Sequence, residues 1–186
     1  MEEIIKEENN FQKLYAENIE RLKELACINK TTSIIKEGKS IEDTLQQICL
    51  IIPPAWQFPE HTASSIRFDG KHYHTANYIE TEWCQRQNFE TLDNKTGTIE
   101  IYYLKQFPDF DEGPFLKEER NLIYNIANMI TGYINSLMGK QILEIKKKED
   151  IDLLKEPVIN SRQLLQKFIN KYNSDRDIYC LNYIYL

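Results

Sequence analysis

Glycine is scarce in this chain: six residues in 186, none in G-x-G spacing and none leading into G-K-[ST]. Phosphate-cradling loops need such glycines, because only a backbone without Cβ comes close enough to a pyrophosphate. Nucleotide binding of the P-loop kind is therefore excluded, and no G-x-S-x-G elbow marks a nucleophilic serine. The four cysteines, Cys27, Cys49, Cys84 and Cys180, are scattered without a C-x-x-C pair. That spacing suits neither a disulfide framework nor a zinc knuckle. Cys49, set between Ile48 and Leu50, reads as a small buried hydrophobe.

Long apolar runs are also missing. No stretch approaches the ~20 residues that span a bilayer, and the acidic start MEEIIKEEN lacks the charge pattern of a secretory signal. The expectation is a cytoplasmic protein without a membrane partner. Basic residues are in the minority, 23 Lys and Arg against 29 Asp and Glu, giving a net charge of −6 and a pI near 5.2. A nucleic-acid partner, whose phosphates demand a basic face, is not expected. The basic run Lys146-Lys147-Lys148 is followed by Glu149, Asp150 and Asp152 and reads as a solvated helix end. Only three histidines occur, His61, His72 and His74, none in a helical stretch that could carry a phosphoacceptor.

What is present is strong helical periodicity at both ends and alternation between them. Over residues 4–36, Phe11, Tyr15, Ile19, Leu22 and Ala26 recur every three or four positions, flanked by Leu14 and Leu25. The pattern predicts a long helix whose first half pairs with a partner helix, in cis or in a dimer. Gly38 offers a stop, and Ser40 with Asp43 predicts a capping box for a second helix carrying Ile41, Leu45, Ile48 and Ile52. Pro53-Pro54 ends it, and Trp56 and Phe58, large aromatics in a connection, are expected to pack under the domain.

Residues 62–68 alternate, Asp69-Gly70 predicts a hairpin turn, and residues 71–75 return. A polar loop over 77–82, a strand over 83–92, a turn over 93–97 and a strand over 98–104 follow. Residues 115–148 then read as a second long helix. Leu116, Ile123, Ile130 and Leu137 stand at seven-residue intervals, with Ala127 and Ile134 between them, a coiled-coil-like seam. Its length, about 50 Å at 1.5 Å per residue, points to a homodimer built on the helices of Leu22 and Ile130. A short helix over 161–172 and an apolar end, 178–186, complete the chain. That end either docks on the domain or leads into a longer protein.

The residues Ile52-Pro53-Pro54-Ala55-Trp56-Gln57-Phe58-Pro59, Ile66-Arg67-Phe68-Asp69-Gly70 and Glu80-Thr81-Glu82-Trp83 form one set of signatures. Gly97-Thr98-Ile99-Glu100-Ile101-Tyr102-Tyr103 and the run from Glu112 to Arg120 form another. In this combination and order the chain resembles GAF-like sensor domains, which precede output modules in bacterial histidine kinases and phosphoenolpyruvate-utilising enzymes. The resemblance covers roughly residues 19–137. It implies an α+β fold: an antiparallel sheet backed by long N- and C-terminal helices, with a small pocket on the other face. It divides the chain into a signalling helix (1–20), a sensor domain (21–140) and a helical extension (141–186), the last read as a remnant of a lost output region. The chain departs from relatives that continue into a transmitter or catalytic domain. It also lacks the bilin-type Cys-His pair, since Gln85 follows Cys84.

In that pocket Arg67 and Arg86 would hold a carboxylate or phosphate, with Tyr102 and Trp83 as apolar wall. The bland alternative is a surface arginine paired with Glu100. His72 and His74 share one strand face. A metal site there would need His61, Glu80 or Glu82 to converge with them, and none is assigned. Cys84 invites comparison with thiol redox enzymes built on this fold, but no resolving cysteine lies near it in sequence. The leading expectation is a non-catalytic sensory module in signal transduction that binds an unidentified, anionic small molecule and acts on a kinase or enzyme partner. A ligand-free interaction module and a thiol redox enzyme are the alternatives, and no cofactor is identified.

Overall fold

The computed structural model describes residues 2–155 together with 165, 166 and 169. The helix expected over 161–172 therefore lies almost wholly outside the described residues, as do Cys180 and the apolar end. The chain divides into two compact units, Met1–Gly139 and Lys140–Leu186. In the second, the described backbone is chiefly the end of one helix, on which Ile142, Leu143 and Ile145 are exposed.

The first unit joins helices to an antiparallel sheet. Helices α1 (Glu2–Lys36) and α2 (Ile41–Ile51) come first, then two short 3-10 turns, Pro53–Ala55 and Pro59–His61. Strands β1 (Thr62–Phe68), β2 (Lys71–His74), β3 (Cys84–Glu90) and β4 (Thr96–Tyr103) follow, and α3 (Lys117–Lys155) continues into the second unit. The sheet order is β2-β1-β4-β3, with every pairing antiparallel.

The local reasons are visible in the residues. The Ser40 hydroxyl accepts from the Asp43 N–H at 3.1 Å and donates to the Asp43 carboxylate at 2.9 Å, which starts α2. Asp69 and Gly70 take positive φ, 51° and 73°, the left-handed geometry that a two-residue hairpin turn requires. The second sheet turn centres on Asn94, φ 61°, with the Thr91 N–H donating to the Lys95 carbonyl at 2.9 Å.

Gly97 does not belong to that turn, contrary to the reading of residues 93–97. It lies inside β4 opposite Phe89, and a Cβ there would sit 2.2 Å from the ring. The glycine is needed because an aromatic ring covers its backbone across the strands.

The inner sheet face, Ile66, Phe68, Ile99, Ile101 and Tyr103, forms one core with the helices. From α2 and its C-cap it receives Leu45, Ile48 and Ile52, from α1 Cys27 and Ile34, and from α3 Leu122, Ile123, Ile126, Ile130 and Ile134. This corrects one reading of the seven-residue repeat. Ile123, Ile130 and Ile134 are fully buried within the chain's own core, so the repeat marks packing on the sheet, and Ile130 offers nothing to a second copy.

Trp56 is fully buried and Phe58 stands edge-on to Tyr103 at 5.5 Å. The Pro-bounded connection is fastened by Glu119, in the first turn of α3. Its carboxylate accepts from the Gln57 N–H at 2.7 Å, the Tyr103 hydroxyl at 2.9 Å and the Leu116 N–H at 2.8 Å. Burial pushes its acidity toward higher pH, against these three donors. Replacing Trp56 by Ala removes the largest fully buried side chain of this connection. The expected loss is about 3–5 kcal/mol of unfolding free energy, read from urea unfolding. A loss within error of zero would place the indole outside the core.

Candidate functional site

The outer face of the sheet is set by strand alternation. Cross-strand partners Ser65 and Glu100, Ala63 and Tyr102, Arg86 and Glu100, Cys84 and Tyr102, and Arg67 and His72 bring their side chains onto it. Glu100 lies in β4, an inner strand, with its side chain only 2 % exposed. A carboxylate so placed is costly unless it is paired and hydrogen-bonded. Arg86 meets it with Nε at 2.7 Å and Nη2 at 2.6 Å on Oε1, and Arg67 donates through Nη1 to Oε2. Two of the residues assigned to the site, Arg67 and Arg86, are thus brought together by a third that the sequence offered only as the bland partner.

The second arm of Arg67 points away from Glu100. Its Nη2 donates to the Tyr78 hydroxyl at 3.0 Å and to the Glu80 carboxylate at 2.7 Å, while the Tyr78 hydroxyl donates to the same Glu80 oxygen at 2.7 Å. The Tyr78 ring lies 5.1 Å from His72, 5.2 Å from His74 and 5.6 Å from Tyr102. The connection between β2 and β3 therefore lies down on the sheet. Asn77 donates to the Thr62 carbonyl at 3.0 Å, and Thr81 to the Tyr103 carbonyl at 2.8 Å. At its crest Ile79 is exposed.

The electrostatics follow the contacts. The Glu80 carboxylate holds the Arg67 guanidinium above its ordinary value, and Glu100 does the same for Arg86. The Tyr78 hydroxyl, then Arg67, holds Glu80 below the usual carboxylate range. Burial lowers His72, with the Arg67 charge adding to it. The two arginines differ from Glu100 in exposure, at 41 % and 58 % of their side chains.

The other assigned residues separate. Tyr102 is buried on the outer face beside Cys84 and Tyr78, and burial raises its phenol. Trp83 is partly buried against the hydrophobic core, on the side away from the arginines, with its carbonyl accepting the Tyr103 N–H. Cys84 shares the arginine face, but burial pushes its thiol up, and the buried Cys27 and Cys49 thiols are pushed up to about 11. Thiols shifted in that direction are poor nucleophiles at neutral pH. His61 stands 5.9 Å from Phe107, apart from the His72–His74 pair. Among the described residues no three His, Cys, Asp or Glu side chains converge on a metal position.

Tyr78 fills the space that the sequence reading left for a ligand under the 77–82 loop. An open cleft of about 400 Å³ remains beside it, where Arg67, Phe68, Lys71, His72 and Thr98 meet the hairpin turn. Sequence reasoning missed Tyr78, and named Glu80 only as a carboxylate that a metal site would need, because an irregular loop carries no periodicity. The signal available was one aromatic and one carboxylate two residues apart in a short polar connection. Glu119 was also missed as a buried tie; its signal was a glutamate at the third position of a helix, where a side chain folds back onto the helix start.

Edge strand β3 is pinned as well. Arg120 donates to the Arg86 carbonyl at 2.7 Å and pairs with Glu112 at 2.6 Å. Comparison with family models, with curated proteins and with solved structures gives no match.

Glu100→Ala would leave both guanidiniums over a sheet face with no fixed counter-charge. The expected cost is about 2 kcal/mol, since hydrogen bonds to charged groups are worth more than neutral ones but both arginines keep contact with water. Denaturant unfolding of the variant measures it; stability equal to wild type would show that Glu100 does not organise the face.

Proposed function

We propose that the chain is a non-catalytic regulatory module of the GAF type, which binds a small carboxylate- or phosphate-bearing molecule on the outer face of its sheet. One observation carries this reading: Arg67 has one fixed and one replaceable partner. Glu100 is buried and bound to two arginines, whereas the Glu80 side chain is 62 % exposed, on an irregular loop. Exposed ion pairs contribute little and exchange readily. A planar guanidinium whose second arm can exchange partners is suited to carboxylate or phosphate recognition.

The cleft beside Arg67 gives such an anion a way in, with Lys71 and His72 on its wall. On binding, the anion replaces Glu80, the hydroxyl of Tyr78 loses its carboxylate partner, and the loop carrying the exposed Ile79 is released from the sheet. That loop change is the signal offered to an output partner, a kinase or other enzyme. Its energetic content is the difference in ligand affinity between the docked and released loop. The resemblance in the PPAWQF, IRFDG and EGPFLKEER segments supports the same assignment.

A second reading is favoured by a specific feature: both arms of Arg67 are already engaged. In that case the face is closed by its own side chains and the domain is a ligand-free interaction module. The raised thiols give the redox alternative no support.

A panel of small carboxylates and phosphates, inorganic phosphate included, followed by thermal shift and calorimetry separates the two. Glu80→Gln removes the internal competitor, so an anion that binds wild type should bind this variant about tenfold more tightly, because the competent state no longer has to be vacated first. Arg67→Ala should bind none. If no anion stabilises Glu80→Gln more than Arg67→Ala, the interaction module is the correct reading.

A further inference from the structure

Helix α1 has two opposed sides. Cys27, Thr31 and Ile34 are buried on one of them. On the other, Phe11 (67 % exposed), Tyr15 (60 %), Leu22 (61 %) and Leu25 (55 %) stand in water. With Asn18 and Asn29 these residues fall at 11, 15, 18, 22, 25 and 29, spacings of four and three in strict alternation. That is the seam of a two-helix coiled coil, narrower than the stripe a globular core requires. Counted at 100° per residue, its centre lies opposite Cys27, so the side that binds the chain's own core cannot also cover it.

We infer that this seam is a self-association surface, and that a second copy of the chain covers it with its own α1 running antiparallel. The inference goes beyond the ligand reading above and does not depend on it. Three observations choose this occupant and this direction.

The first is area. Leu14 and Leu50 are also exposed beside the seam. Covering six large apolar side chains removes on the order of 100 Å² each, roughly 600 Å² per copy, close to the ~800 Å² per partner of a stable interface.

The second is charge. Residues 1–8 contain four glutamates and one lysine, while residues 28–36 contain two lysines and no acid. A parallel pair would set the glutamates of both copies side by side. An antiparallel pair sets each acidic start against the other copy's basic end, and the helix dipoles oppose as well.

The third is shape. In the antiparallel register Phe11 faces Asn29, Tyr15 faces Leu25 and Asn18 faces Leu22. At the level of Asn29 an apolar groove of about 460 Å³ opens between α1 and α2, walled by Ser33, Ile34, Leu50 and Ile51. It receives the phenyl ring of the other copy's Phe11, twice per dimer by symmetry.

The full-length chain tests this. Light scattering at tens of micromolar should give about twice the 22.1 kDa chain mass, and Leu22→Glu should halve that mass while still unfolding cooperatively, with a thermal midpoint that no longer rises with protein concentration, because Leu22 is outside the core. Under mild oxidation, the double variant Phe11→Cys with Asn29→Cys should form a covalent dimer above the wild-type background, and Tyr15→Cys alone should not. A monomeric wild type, or a dimer that persists in Leu22→Glu, overturns the surface and leaves the seam to a partner of other composition. Self-cross-linking of Tyr15→Cys overturns the antiparallel direction.

Discussion

A carboxylate in the middle of a sheet, held by two guanidiniums, is the constraint on which the outer half of this structure depends. Glu100 occupies an inner strand, where a charge without partners would not be tolerated. Arg86 satisfies one oxygen from β3 and Arg67 the other from β1, so three strands are joined across their faces as well as along their backbones. Once Glu100 fixes one arm of Arg67, the direction of the other arm is fixed too. That second arm is where Tyr78 and Glu80 settle, and with them the whole connection between β2 and β3.

The inner face follows a different logic. It is mostly apolar, and the helices are read onto it by periodicity: α2 through Leu45 and Ile48, α3 through Ile123, Ile126 and Ile130. Glu119 is the exception, a buried carboxylate held by hydrogen-bond donors rather than by a cation. It ties the Pro-bounded connection, the end of β4 and the start of α3 at one point. The sheet thus has one carboxylate on each side, one neutralised by arginines and one solvated by the chain itself.

The helical and hairpin parts of the fold were legible because each is marked by local chemistry. Ser40 with Asp43, the Pro53-Pro54 pair and Asp69-Gly70 act within a few residues, and the structure places a helix start, a helix end and a turn there. Misreadings arose where a tertiary neighbour decides. Gly97 looked like a turn residue, but its role comes from Phe89 across the strand. The repeat through Ile123 and Ile130 looked like a seam for a second chain, yet heptad spacing is also what a helix shows when it crosses a sheet face. On the outer face, alternation indicated which residues share a side, which is how Arg67, Arg86, Glu100 and Tyr102 were found together. Alternation said nothing about Tyr78 or Glu80, because a loop has no period, and Trp83, read as wall of the pocket, packs instead against the core at the point where the loop becomes strand.

The central claim is that Arg67 holds Glu100 firmly and Glu80 loosely. Two double-mutant cycles on unfolding stability test it, one pairing Arg67→Ala with Glu100→Ala and the other pairing Arg67→Ala with Glu80→Ala. Clear coupling is expected in the first cycle and coupling close to zero in the second, since one carboxylate is buried and the other lies in water. Equal coupling in the two cycles would contradict it, because Glu80 would then be a fixed part of the sheet face rather than a group that a ligand can replace.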